Sequence, residues 1–326
     1  MYKIFSKRIM GLLLFSLILS SISSTAFAEG ENTPSGIEYS KLKNNIDRYA
    51  KEYIGNTTAG ASVAVLQNEE LVFKSNYGYS DIKNKVSVSD NSIFEWGSTS
   101  KLLIWVSVMQ LVEQGKLDLN KDIRFYLSQK FFKKLKYNQP INMLNLMNHN
   151  AGWEEHLTDM FYKNPQDVKT LKETLDVFEP AQVYKPGEMV AYSNYGATLA
   201  AYIIERITGM EFYEYVNQNI FGVLNMKETS IQPLQTDNLY LQKNRPLTKG
   251  YVKNSKGSSE RPIFYLGIYP AGGAVGTLSD MCKFVSALVP EDRKKSLLFK
   301  NEETFTTMFS QSYKVTDDFP GICHGF

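Results

Sequence analysis

Three serine–lysine pairs with the spacing Ser-x-x-Lys are the first candidates for nucleophilic chemistry in this sequence. They are Ser40 with Lys43, Ser80 with Lys83, and Ser98 with Lys101. A serine hydroxyl needs a base to become a nucleophile, and a lysine can serve when burial keeps it partly neutral. The first two pairs lie in polar surroundings, which predicts solvated surface positions. The spacing alone is therefore a weak signal, and the surroundings must separate the pairs.

Ser98 differs from the other two serines because it comes just before the most apolar stretch of the chain, residues 102–112. This stretch predicts a buried helix that ends at Gly115. Free N–H groups and the helix dipole favour developing negative charge at such an N-terminus, and Lys101 would lie one turn further on the same face. The alternative is that Ser98 only caps the helix and Lys101 extends its ammonium group to solvent.

The segment Tyr192-Ser193-Asn194 is the second candidate group. Tyr-x-Asn also begins at residues 162 and 215, but only this copy follows a Pro-Gly turn and precedes a predicted helix over 195–208. A phenol close to a lysine cation could ionise and move a proton. The alternative is that Tyr192 is an aromatic packing residue and Asn194 caps the helix.

The elements around these groups predict an α+β fold. Residues 37–54 have the spacing of an amphipathic helix, and residues 61–67 predict a strand that returns from Leu71. Helices fill the middle of the chain and few candidate strands follow, which favours an antiparallel sheet with flanking helices. A hairpin alone would need further strands to be stable. Residues 233–262 are polar with scattered Pro and Gly, and predict a loop.

The composition excludes several classes of protein. The chain has 326 residues, 43% of them hydrophobic, and a formal net charge of +2. This is too apolar for a disordered chain, and a nucleic-acid-binding protein would need a basic face. A chain of this length can bury about 75% of its extended surface, so it can form a sizeable core.

The N-terminus predicts an export signal. Basic residues (Lys3, Lys7 and Arg8) precede the uncharged apolar stretch 9–19, and Ala26-Phe27-Ala28 resembles a cleavage site. We therefore expect a signal peptide over residues 1–28, a hydrolase domain over 29–326, and a secreted or extracytoplasmic location in the cell wall or periplasm. An uncleaved anchor helix is the alternative. No later apolar run reaches the ~20 residues of a membrane span.

The chain has three histidines, His149, His156 and His324, and no Gly-x-Ser-x-Gly motif. This disfavours a Ser-His-Asp hydrolase. No His or Cys pair has the spacing of metal ligands, so we predict neither a metal nor a cofactor. Cys282 and Cys323 could pair in an oxidising compartment, but we favour two small, half-buried side chains.

Six short motifs follow one another along the chain. They are residues 94–101 (Phe-Glu-Trp-Gly-Ser-Thr-Ser-Lys), 115–119, 149–152, 186–188, 192–196, and Gly272-Gly273 followed by Ser279-Asp280. Their order resembles that in the serine β-lactamase-like hydrolases. This family includes class C β-lactamases, penicillin-binding-protein-like D-Ala-D-Ala carboxypeptidases, and D-amino-acid peptidases and esterases. The resemblance extends from about residue 37 to the end of the sequence.

The resemblance implies a β-lactamase/transpeptidase-like sheet with a helical subdomain. It implies that Ser98 is the acylated nucleophile, that Lys101 and Tyr192 share the base and acid work, and that Asn194 contacts the substrate amide. The Ser98 N–H would supply half of an oxyanion hole. The implied substrates are D-amino-acid peptides, cell-wall peptide among them, or β-lactams, and no nucleic-acid partner is expected.

The family's third motif, a Lys-Thr-Gly or His-x-Gly-like triplet, has no clear match. One alternative is that His324, beside Gly325, takes its place. We expect instead that residues 321–326 correspond to the strand before that motif, so that the last strands and the C-terminal helix are missing. Two rival functions remain open: a D-amino-acid peptidase that matures a secondary-metabolite precursor, and a truncated, inactive remnant that binds wall peptide.

Overall fold

The computed structural model describes residues 32–326 except 34, 68, 129, 156–159 and 256. The predicted signal peptide over residues 1–28 lies outside the described residues, and so does His156. Within these ranges, no helix has the length and apolar character needed to cross a membrane.

The described residues form helices and strands, most of the strands only two residues long. The helices are α1 (Tyr39–Tyr53), α2 (Lys101–Glu113), α3 (Met143–Met147), α4 (Leu171–Phe178), α5 (Asn194–Thr208), α6 (Phe212–Val216), α7 (Leu239–Asn244), α8 (Leu278–Leu288) and α9 (Glu302–Met308). The strands are β1 (Gly60–Gln67), β2 (Glu70–Asp81), β3 (Val86–Ser87), β4 (Phe94–Glu95), β5 (Phe161–Tyr162), β6 (Thr229–Ser230), β7 (Gly250–Asn254), β8 (Gly257–Arg261), β9 (Tyr265–Leu266) and β10 (Val275–Gly276).

The largest sheet is the antiparallel arrangement β1-β2-β3. Its long hairpin pairs Gly60 with Gly78 and Gln67 with Glu70. Helix α1 lies against β2, and α8 lies against β1. The helix predicted over residues 37–54 and the strand with its returning partner are thus confirmed.

A second sheet, β4-β10-β6, fixes the segment that precedes Ser98. Strand β10 pairs antiparallel with β4, and the Trp96 amide donates a hydrogen bond to the Ala274 carbonyl oxygen at 2.9 Å. The Ala274 amide in turn donates to the Ser100 hydroxyl at 3.1 Å. These bonds hold the Gly272-Gly273 segment beside the turn that carries Ser98.

Helix α2 lies in the centre of the core. Its fully buried apolar side chains are Leu103, Ile104, Trp105, Val106, Val108, Met109 and Leu111. Burying one such side chain stabilises the fold by about 1.5–3 kcal/mol before conformational entropy is subtracted. Helix α5 packs against α2, and its buried residues include Ala197, Ala200 and Ala201. The prediction of a buried helix over 102–112 is confirmed, as is the α+β class.

The segment 233–262 differs from the loop that the sequence predicts. It contains α7 and the two-stranded sheet β7-β8, which pairs Gly250 with Arg261 and Asn254 with Gly257. Most residues of β7 and β8 are exposed or half-buried. A hairpin that buries neither face needs no apolar alternation, so hydrophobic periodicity gives no signal for it.

Candidate active site

Ser98 lies in a single 3-10 turn, Gly97–Ser100, that leads into α2. Gly97 has a φ of 53°, in the left-handed region that glycine adopts at little cost. The residue directly before α2 is Ser100, so Ser98 is not the cap of this helix. The Ser100 hydroxyl donates to the Gly97 carbonyl oxygen at 2.7 Å and tightens the turn. The turn leaves the Ser98 side chain exposed.

Lys101 reaches the Ser98 hydroxyl from the first residue of α2. Its Nζ lies 3.3 Å from Ser98 Oγ, 2.7 Å from Asn194 Oδ1 and 2.7 Å from the Ala271 carbonyl oxygen. The residue is only 4% exposed. Burial lowers the pKa of Lys101 to about 8, while the negative charge of Glu155 acts in the opposite direction. Lys101 is therefore far better suited to accept a proton near neutral pH than an exposed lysine.

Tyr192 packs its ring close to the Lys101 ammonium group. Its ring centroid is 4.9 Å from Lys101 Nζ, and 48% of the residue is exposed. The ring therefore contacts the lysine and is open to solvent, although Tyr192 is not among the described residues that line the cavity at Ser98.

His149 packs against the ring of Tyr192, with ring centroids 4.5 Å apart. Burial, and then the positive charge of Lys101, lower the pKa of His149 to about 4. Its Nδ1 accepts the Ser193 N–H at 3.1 Å. His149 is thus neutral at pH 7 and carries its proton on Nε2. The sequence places His149 in a motif, but gives no sign of this contact.

Asn194 begins α5, while the helix cap is Ser193, whose hydroxyl accepts the Gly196 N–H at 3.0 Å. The side-chain oxygen of Asn194 faces Lys101, and its Nδ2 donates to Glu155 Oε1 at 3.0 Å. The Asn194 backbone N–H donates to Glu155 Oε2 at 2.7 Å. Glu155 therefore fixes which way the Asn194 amide faces. One of two adjacent glutamates outside any recognised motif carries no sequence signal, and sequence reasoning misses it.

We expect Glu155→Gln to lower the plateau value of kcat/KM about tenfold, because one of the two hydrogen bonds that orient Asn194 is lost, and to shift the acidic limb of the pH–rate profile to lower pH. Glutamine keeps one acceptor but loses the charge that raises the pKa of Lys101. Measurement is by initial rates between pH 6 and 10. Glu154→Gln is the matched control, because Glu154 is the exposed neighbour. An unshifted profile with reduced activity would mean that Glu155 only supports the local fold.

A cavity of about 250 Å³ opens at Ser98 and Asn194. Gly272 and Gly273 form part of its wall, as do the aromatic rings of Phe161 and Phe264. The cavity is large enough for a small acyl group and part of a leaving group. The structure thus brings together Ser98, Lys101, Tyr192 and Asn194, the four predicted site residues.

His324 lies elsewhere. It is buried, its backbone N–H donates to the Ser312 hydroxyl at 2.9 Å, and its Nδ1 lies 3.1 Å from the Ser310 carbonyl oxygen. It is not among the described residues that line the cavity at Ser98. Cys282 and Cys323 are both free thiols and half-buried, as the favoured interpretation expects. No cluster with metal-ligand geometry occurs in the described ranges.

Comparison with known proteins gives consistent matches. The sequence profile described as Beta-lactamase matches residues 46–319. Teichoic acid D-alanine hydrolase from Staphylococcus aureus is 30% identical over 257 residues, which cover 76% of this chain and 60% of that protein. The chain therefore spans less than two thirds of this relative.

Two solved structures superpose well. FmtA from Staphylococcus aureus gives a TM-score of 0.68 at 26% identity, covering 87% of this chain and 74% of that one. D-amino acid amidase from Ochrobactrum anthropi SV3 gives a TM-score of 0.68 at 24% identity, covering 84% of this chain and 76% of that one. The second likeness shows a shared fold alone.

Proposed function

Because the chain belongs to the beta-lactamase family, we propose that it is a serine hydrolase that forms an acyl-enzyme on Ser98. The observation that carries this proposal is the buried Lys101 Nζ, 3.3 Å from Ser98 Oγ. We propose that the acyl group is D-alanyl or a related D-amino-acid unit, carried by an ester, a peptide or a β-lactam mimic. The 30% identity to a teichoic acid D-alanine hydrolase supports this class of acyl group.

In the acylation step, neutral Lys101 takes the Ser98 hydroxyl proton while Oγ attacks the substrate carbonyl carbon. The new C–O bond forms as the carbonyl π electrons move to oxygen, and the Ser98 N–H donates to this oxyanion. One N–H of the Asn194 Nδ2 group donates a hydrogen bond to Glu155. The other donates to the substrate amide, so the amide that orients Lys101 also orients the acyl group.

The tetrahedral intermediate collapses when the bond to the leaving group breaks. The departing oxygen or nitrogen takes the bond electrons, and a proton reaches it from Lys101 through the Tyr192 hydroxyl. A water oxygen then attacks the carbonyl carbon of the Ser98 ester while Lys101 and Tyr192 take one of its protons. The bond between that carbon and Ser98 Oγ breaks, Oγ takes the bond electrons, and the pair returns the proton to Oγ. The products are the free acid and regenerated Ser98, and the leaving group carries one proton.

We also propose an extracytoplasmic location. The support is the pattern of residues 1–28, in which a basic start, an apolar stretch and a small-x-small site follow one another. In that setting the substrate would be a D-alanylated wall component or a wall peptide.

Direct turnover tests the proposal. The purified chain is incubated with matched D-alanyl and L-alanyl p-nitrophenyl esters, and alanine release is followed. We expect the D-ester to react at least about tenfold faster, because the site must distinguish hydrogen from methyl at the α-carbon. Labelled penicillin should attach to the peptide that contains Ser98.

The outcomes separate the alternatives. A penicillin adduct that persists, with no ester turnover, indicates a slow penicillin-binding protein. An N-acyl-D-amino-acid amide that is hydrolysed in preference to the esters indicates a maturation peptidase. If neither turnover nor labelling occurs, the hydrolase proposal is wrong and the chain is at most a binding protein.

A further inference from the structure

Two arginines share one carboxylate in the wall of the cavity that contains Ser98. Arg245 Nη2 lies 3.3 Å from Glu95 Oε1, and an Nη of Arg261 contacts the other oxygen of the same carboxylate. Arg245 also donates to the Gln235 side-chain oxygen. Glu95, Arg245 and Arg261 are the charged residues among the described residues that line this cavity. Their formal charges sum to +1.

The excess positive charge is only partly exposed to water. The Arg245 side chain is 11% exposed and that of Arg261 is 33% exposed. Burial lowers the pKa of Arg245, whereas Glu95 acts to raise it. A guanidinium taken out of water is costly unless it is well paired, and one carboxylate divided between two guanidiniums leaves part of that cost uncompensated. An anion entering the cavity would supply the missing charge.

The fold places this cluster in the lining of the same cavity as the nucleophile. Glu95 lies in β4, three residues before Ser98, and Arg261 ends β8 in the polar hairpin. Arg245 follows α7. A second cavity, of about 340 Å³, is lined by the same three residues and by Lys249 and Lys253. Lys249 is itself paired with Glu260 at 3.5 Å, so it adds little net charge to this second cavity.

We propose that Arg245 and Arg261 bind an oxyanion carried by the substrate, a carboxylate or a phosphate located near the scissile D-alanyl bond. The planar guanidinium fork matches the geometry of both oxyanions. Phe264 and Leu266, which line the same cavity, provide an apolar wall beside the charges. This inference rests on the proposed function, because Ser98 supplies the reaction for which the oxyanion orients the substrate.

Matched substrate pairs test the inference. The phosphate pair is the D-alanyl ester of glycerol and that of glycerol 3-phosphate. The carboxylate pair is the C-terminal amide of acetyl-D-Ala-D-Ala and the free acid. We expect kcat/KM to be about tenfold higher for the charged member of at least one pair. An effect of this size is what one charge-assisted hydrogen bond contributes. The pair that shows the preference identifies the source of the oxyanion.

Two substitutions should move the preference in opposite directions. Arg261→Gln should lower the charged-to-neutral ratio of kcat/KM about tenfold, and Glu95→Gln should raise it by removing the competing carboxylate. Arg261 is used because Arg245 is more deeply buried and its loss endangers folding. Arg48→Gln is the matched control, since Arg48 is exposed on α1 and does not line the cavity. It should leave the ratio unchanged.

Binding to Ser98→Ala protein separates this inference from the proposed function. This variant cannot form the acyl-enzyme, so calorimetry with the same pairs reports affinity alone. About tenfold tighter binding of a charged member, lost in the Arg261→Gln double variant, supports the oxyanion site even if wild type turns nothing over. Equal affinities within both pairs overturn the inference, and D-ester turnover by wild type would then leave the hydrolase proposal intact.

Discussion

Replacing Ser98 with alanine is expected to abolish the penicillin adduct and to lower kcat for the D-alanyl ester by about 10⁴–10⁶. The hydroxyl supplies the only atom that becomes covalently bound in the proposed reaction, and no neighbouring base compensates for its loss. Intact-mass spectrometry after incubation with labelled penicillin measures the adduct. Initial rates with the D-alanyl ester measure the loss of turnover.

Thr99→Ala is the matched control for Ser98→Ala. Thr99 is exposed in the same 3-10 turn, so its replacement removes a neighbouring hydroxyl from the same backbone. It should keep both labelling and turnover within a few-fold of wild type. An adduct that survives in Ser98→Ala, or disappears in Thr99→Ala alone, would assign the nucleophile to another residue.

Acylation by wild type is expected to speed up about tenfold per pH unit below pH 8 and to level off above it. The base must be neutral to accept the serine proton, and burial lowers the pKa of Lys101 to about 8. At pH 7 about a tenth of Lys101 is then neutral, against well under a thousandth of an exposed lysine. Lys101→Met should lower kcat/KM by about 10²–10⁴ and flatten this limb.

Two further variants show whether the loss of rate in Lys101→Met comes from the loss of a base. Lys101→Arg keeps the positive charge but cannot become neutral near pH 8, so it should be as inactive as the methionine variant. Lys116→Met removes an exposed lysine after α2 and should change neither rate nor profile. A wild-type profile that is flat between pH 6 and 8 would contradict the assignment of Lys101 as the base.

Local sequence was sufficient to predict the elements whose burial follows from their own residues. Residues 102–112 are apolar on every side, so the helix they form can only be buried. Once that helix is predicted, the Ser98–Lys101 spacing places both side chains on one side of its first turn. The order of the six motifs was sufficient to predict the family, because each motif is recognised from its own residues and no contact between motifs has to be known.

Contacts between distant segments were decided by tertiary packing. Lys101 meets Asn194 and the Ala271 carbonyl oxygen only because α5 and the turn before β10 converge on α2. Glu155, Arg245 and Arg261 lie in polar segments, where many side-chain positions satisfy the same local pattern, and the motif that contains Glu95 gives no sign of its two arginine partners. Neither their partners nor their burial can be read from spacing.

The pKa values show the same division. The sequence determined that a lysine follows the candidate nucleophile by three positions, and it predicted that burial would make this lysine a base. The tertiary structure decided how far its pKa falls, because desolvation depends on every atom packed around Nζ, and those atoms come from distant parts of the chain. Covalent neighbours determine which groups are present, and three-dimensional packing determines how strongly each group holds its proton.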